Sequence, residues 1–187
     1  MREDGEERAD AREWVGRTAN LTPRQKQPAP LGARPPRRLT RLFDALDEAG
    51  VRWSLLRPVE SLSQPTGDVD VLVDPVSLDR VRAVAVEQGF VPVPKGGRDL
   101  HAADHDAEVR RLLWLHVQTE LRICGERVTA SQVLDACVTD PLPRPSDPWL
   151  FWILVLHGLL DKGELAPQHR EAVQRLAPSG ADGPARL

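Results

Sequence analysis

The segment Thr66-Gly67-Asp68-Val69-Asp70-Val71-Leu72-Val73 alternates acid with valine and then turns wholly apolar. Side chains two apart on a β-strand face the same side. The pattern therefore predicts a strand over 68–73 from which Asp68 and Asp70 project together. The apolar end reads as the inside of a sheet, and the acidic start as the point where the strand reaches an open edge. Two neighbouring carboxylates repel unless a cation lies between them, and a hard divalent ion suits their oxygens. Magnesium, or manganese, keeps several waters while bridging to triphosphate oxygens, so Asp68 and Asp70 are the candidate metal ligands. Gly67, directly before them, allows backbone to approach a phosphate closely.

The surrounding chain gives this strand its setting. Upstream, Leu39, Leu42, Phe43, Leu46 and Ala49 recur at helical spacing before Gly50, which predicts an amphipathic helix with a glycine stop. Arg52 to Arg57 reads as a first strand ended by Pro58, and a loop runs on to Gly67. Downstream, Asp74-Pro75 opens a second helix whose Leu78, Val81, Val84 and Ala85 share a face and which Gly89 closes. Phe90 to Val93 is a short strand that Pro92 assigns to an edge. The pair Gly96-Gly97 makes a turn before Leu100 to about His105. The segment Leu112 to Arg122 alternates again, with Leu113, Leu115, Val117, Thr119 and Leu121 on one face and Trp114, His116, Gln118, Glu120 and Arg122 on the other. Helical stretches follow at about 130–137, 149–162 and 168–176.

With 187 residues the chain suffices for one domain and not for two full ones. Residues 1–36 are charged and proline-rich with few apolar side chains, and are expected to be a disordered tail. The expected organisation is then an α/β core over 37–125, a small mixed sheet with packed helices, a helical extension over 126–177 and a polar tail over 178–187. Lysine and arginine total 25 against 28 acidic residues, for a net charge of -3. That balance does not favour a nucleic-acid or membrane-surface partner. Arg34, Arg37, Arg38 and Arg41 cluster, but without interleaved aromatics. Cys124 and Cys137 fit neither a zinc spacing nor a disulfide framework, and no secretory signal is read after Met1, so a cytoplasmic protein is expected. The apolar run from Trp149 to Leu156 is well short of the roughly 20 residues of a membrane span.

These features together resemble the minimal nucleotidyltransferase domains of the DNA polymerase β-like superfamily, in particular bacterial proteins of the uncharacterised nucleotidyltransferase type. The resemblance covers Leu39 to Arg122, extends more loosely over Phe151 to Gly163, and is sharpest at Gly67 to Val73. It implies that Asp68 and Asp70 bind the metal carrying a nucleotide's phosphates and that a third acid on a neighbouring strand completes the site. It also implies a nucleoside triphosphate as substrate and transfer of its monophosphate to an acceptor hydroxyl. Two departures stand beside it. The phosphate-cradling Gly-Ser or Gly-Gly element would fall at Leu56-Arg57-Pro58, where Arg57 offers a charged fork instead. The central polar-face position of the strand expected to carry the third acid is His116, and Glu120 sits four residues on, about 13 Å along a strand.

The third position is therefore His116 or Glu120, and Arg57 or Arg98, the latter beside Gly96-Gly97, steadies phosphate. His101, Asp104, His105 and Asp106 match no hydrolase spacing and read as solvated turn residues. His157, inside an apolar run, reads as a satisfied core or interface histidine. The sequence supports a metal-dependent nucleotidyltransferase, or alternatively a catalytically degraded protein of that fold that binds a nucleotide or a protein.

Overall fold

The computed structural model describes residues 35–63, 68–94, 99–106, 111–123, 126–139, 141–161, 163–165 and 167–180. The expected roles of Gly67 and Arg98, the Gly96-Gly97 turn and nearly all of the N-terminal tail lie outside these residues.

Helix α1 (Arg37–Glu48) buries Leu39, Leu42, Phe43 and Leu46, the stripe its spacing predicts. After it, Gly50 takes a positive φ of 65°, as a helix-terminating glycine does. Strand β1 (Trp53–Leu55) leads through a short 3-10 turn at Val59–Ser63 to β2 (Asp68–Val73). A further 3-10 turn at Pro75–Ser77 opens α2 (Leu78–Glu87), which is followed by β3 (Val91–Val93), β4 (Leu100–Asp106) and β5 (Arg111–Gln118). These strands form one mixed sheet in the order β1-β2-β5-β4-β3. Only the β2·β5 pair is parallel; the other three are antiparallel. Pro92 lies on edge strand β3, where a missing N–H costs no ladder bond.

The two faces of β2 have different fates. Val69, Val71 and Val73 are fully buried in one core with α1, α2 and the inward residues of β4 and β5. Leu72 faces the other way, into a second core with Leu56, Leu121, Val133, Trp149 and Ile153. Asp68 and Asp70 share the Leu72 face by alternation and are each half-buried. The acids thus stand on the side of the sheet that the C-terminal half of the chain covers only in part.

That C-terminal half differs in detail from expectation. Leu112 to Arg122 is not one strand: β5 ends at Gln118, and β6 (Glu120–Ile123) pairs instead with β7 (Glu126–Thr129) as a hairpin. The physical reason is the loss of a neighbour. Gln118 is the last residue of β5 paired with β2, opposite Leu72, and beyond it the chain must find a new partner. The segment expected to be a wholly helical extension therefore starts with a strand. Helix α3 (Ala130–Leu134) is shorter than the span expected to Cys137, because Cys137–Val138 forms β8, paired with β9 (Arg144–Pro145). Helix α4 (Asp147–Leu156) runs into a single wide π-helical turn over His157–Asp161, and α5 (Pro167–Gly180) extends past the expected end at 177. Leu150 and Leu154 of α4 bury against Ala172 and Leu176 of α5. Among the described residues no helix is long and apolar enough to cross a membrane.

Candidate active site

The parallel register of β2 and β5 sets Asp68 opposite Trp114 and Asp70 opposite His116. On the far side of β5, the antiparallel register with β4 sets His116 opposite His101. His116 is the middle of three neighbouring strands. Its ring stacks on that of His101 with centroids 4.2 Å apart and planes 11° from parallel. His116 Nδ1 lies 3.1 Å from Asp70 Oδ1, and its Nε2 lies 3.3 Å from Asp99 Oδ2. Gln118, two residues along the same face, donates from Nε2 to Asp70 Oδ1 at 3.4 Å.

Arg57 closes the other side of Asp70. Its guanidinium donates to Asp70 Oδ2 at 2.9 Å and also to the backbone carbonyl of Asp68. At the end of β1, the Leu56 N–H donates to the Asp70 carbonyl at 3.0 Å, which holds Arg57 against β2. Arg57 is only 13% exposed. Burial would push the Asp70 carboxyl up, but the His116 hydrogen bond and the charges of Arg57, His116 and His157 outweigh it and hold the group below its ordinary 3.8. Burial likewise opposes a charge on His116, yet Asp70 and Asp99 prevail and raise it above its ordinary 6.5. Each of the two residues thus favours the charged form of the other.

Beside this pair opens a cleft of about 660 Å³. Asp70, Asp99, Gln118 and Glu120 give it polar and acidic lining, while Arg57, Arg122, Arg127, His157 and His169 line it with cationic or titratable groups. Apolar walls come from Leu56, Leu121 and α4. Glu120 belongs to β6, where Arg127 holds it at 3.1 Å and Arg122 at 3.9 Å. It shares the cleft with Asp70 but not the sheet, so the residue in register at the third position is His116. Among the described residues, two buried nitrogens on the cleft wall, Arg57 Nε and His169 Nδ1, have no hydrogen-bond partner.

Three residues differ from expectation, two of them histidines. His101 is not a solvated turn residue, because β4 begins one residue earlier and carries it, half-buried, onto the ring of His116. Asp104 is engaged too, in an ion pair with Arg38 at 3.1 Å on the opposite face, which removes Arg38 from any free basic patch. His157 is not a core histidine. The change from α to π winding at that residue turns it to an exposed position on the cleft, as such turns often do at functional sites. Asp99 follows Arg98 directly and His169 lies in α5, but no spacing or motif singles out either.

Asp68 offers a carboxylate beside two imidazoles, with one ligand atom of each residue within 4.8 Å of the others. That donor set fits a divalent cation. Asp70 adjoins it, with one oxygen bonded to Arg57 and the other to His116 and Gln118.

No family model matches the sequence, and no curated protein matches it significantly. The fold is similar to the solution structure of the antibiotic-resistance factor ANT(2'')-Ia, described as having substrate-regulated conformation dynamics, with a TM-score of 0.52. The likeness covers 76% of this chain and 82% of that chain at 11% identity. At that identity it shows the fold alone: a nucleotidyltransferase-like core of mixed sheet and packed helices.

Proposed function

We propose that the cleft binds a nucleoside triphosphate and that the protein is a metal-dependent nucleotidyltransferase acting on an acceptor hydroxyl. One observation carries this reading. Asp68 and Asp70 share a face of β2, in parallel register with β5, and Asp70 lines a cleft whose wall also carries Arg57, Arg122 and Arg127. The nucleotidyltransferase-like fold agrees with it.

The unpartnered nitrogens point the same way. Leaving a buried donor unsatisfied costs about 1–3 kcal/mol, and a ligand rich in acceptor oxygens removes that cost at Arg57 Nε. Arginine forks match phosphate oxygens, so Arg57, Arg122 and Arg127 are the polyphosphate contacts in this reading. Gly67 and Arg98 keep the phosphate-binding roles that the sequence suggests. A divalent ion held at Asp68, beside Asp70, would neutralise charge on the phosphates. The acceptor oxygen attacks the α-phosphorus in line, the α–β phosphoanhydride bond breaks, and pyrophosphate leaves with the bonding pair. The hydroxyl proton passes to a carboxylate of the cleft. Asp99, in contact with His116, and Glu120, held by Arg127, both line the cleft and are the candidates for it.

A second reading has its own support. His116 stands in register where a third acid is expected, and Asp70 is neutralised by Arg57 and His116. A protein so built binds the nucleotide and does not turn it over. Incubation with α-labelled nucleoside triphosphates, a divalent ion and a mixture of small hydroxyl acceptors separates the two. The enzyme reading expects label to move into product and the rate to drop roughly 10- to 100-fold in Asp68→Asn. Binding of the triphosphate with no transfer under any ion establishes the second reading.

A further inference from the structure

Asp68, His101 and His116 come from three adjacent strands, β2, β4 and β5, and converge on one face of the sheet. We propose that these three side chains hold one transition-metal ion of the zinc class in preference to magnesium. Magnesium takes oxygen ligands almost exclusively and gives up its waters reluctantly. Two imidazoles and one carboxylate are instead a set that zinc, cobalt and nickel bind well.

To close on an ion the three ligand atoms must draw together and the two rings, now stacked 11° from parallel, must turn so that a nitrogen of each points at it. Ligands about 2.1 Å from a tetrahedral metal stand roughly 3.4 Å apart, and the three ligand atoms already lie within 4.8 Å of one another. Side-chain rotation covers the difference, because the backbones of β4 and β5 are fixed by their ladder. The surroundings complete the case. Asp70 Oδ1 reaches His116 Nδ1 at 3.1 Å, the carboxylate–imidazole contact that orients a ligating histidine and directs its other nitrogen to the metal. At that other nitrogen, Nε2, Asp99 Oδ2 is 3.3 Å away and is the next oxygen in reach. In this arrangement Asp70 is a positioning residue and Asp68 the ligand, a division that the sequence pattern of two equivalent acids does not convey.

This inference concerns the ligand set and stands apart from nucleotide transfer, so its test contains no nucleotide. The full chain, free of any affinity tag, is titrated with Co²⁺ while visible absorbance is followed, and the bound ion is then competed with Zn²⁺ and Mg²⁺. We expect one equivalent of Co²⁺ to develop ligand-field bands, stoichiometric Zn²⁺ to abolish them, and a large excess of Mg²⁺ to leave them. His101→Gln and Asp68→Asn should each weaken binding at least about tenfold, whereas His105→Gln and Cys137→Ser should not. Should a variant lose its native circular dichroism, the wild-type imidazole resonances decide instead, with Zn²⁺ shifting two histidines and no others. Absence of a one-equivalent site, displacement by Mg²⁺, or unchanged affinity in a folded His101→Gln protein overturns the proposal.

Discussion

His169 and His116 line or border the same cleft and are pushed in opposite directions. The carboxylates of Asp70 and Asp99 lift His116, while burial, reinforced by Arg57 and His157, lowers His169 below its ordinary 6.5. The sign for His169 follows from linkage. Below pH 6.5 the unfolded chain takes up a proton that the folded protein refuses, so stability is lost as pH falls from 6.5 toward the folded-state value. We therefore expect the protection of α5 amides, taken relative to their intrinsic exchange rate at each pH, to fall between pH 7 and pH 5, and His169→Gln to remove that part of the change. Equal pH dependence in the variant would mean that another group is responsible. At this scale the paired direction of Asp68 and Asp70 was legible, since period-two alternation is local. The meeting of His101 with His116 was not. It depends on the register of β4 against β5, which is fixed by pairing across a turn rather than by any neighbouring residue.

Strand β2 is the element that ties packing to chemistry. One face is all valine and buried, while the other carries two acids and then Leu72. Leu72 is fully buried against Leu56, Val133 and Trp149, so it helps anchor the C-terminal half to the sheet beside Asp70. Truncation to Leu72→Ala should cost about 2–5 kcal/mol in urea unfolding, and a change below about 0.5 kcal/mol would show that this second core contributes little. The helices α1 and α2 were readable from apolar spacing and their closing glycines. The break at Thr119 was not, because Thr119 continues the alternation with a buried side chain. The strand ends there for want of a partner, a tertiary fact. The π turn at His157 is similar. Gly158 lets it pass close to Leu165, whose Cδ1 would lie 2.8 Å from an added Cβ. That closeness belongs to the packed helix pair and not to the apolar run itself.

Across the whole molecule, the division into a sheet with α1 and α2 on one face, and the site flanked by α3 and α4 on the other, follows from where the acids interrupt the apolar pattern. The C-terminal half adds the second wall of the cleft, with His157 and His169 from its helical turns and Arg122 and Arg127 from the β6–β7 hairpin. None of these four stands near the acids in sequence, so only the α/β core, and not the cleft, could be drawn from spacing. The net charge of -3 conceals the local contrast, in which three arginines line a cavity beside Asp70 and Asp99. In the proposed function this cleft, with Asp70 on its wall and Asp68 two residues away on the same face of β2, is a site for a metal-bound polyphosphate. Calorimetric titration of a nucleoside triphosphate into the full chain, with and without saturating divalent ion, tests it directly. Binding should require the ion and weaken at least about tenfold in Asp68→Asn; binding that ignores the ion and survives unchanged in a folded Asp68→Asn protein, or no binding at all, would contradict it.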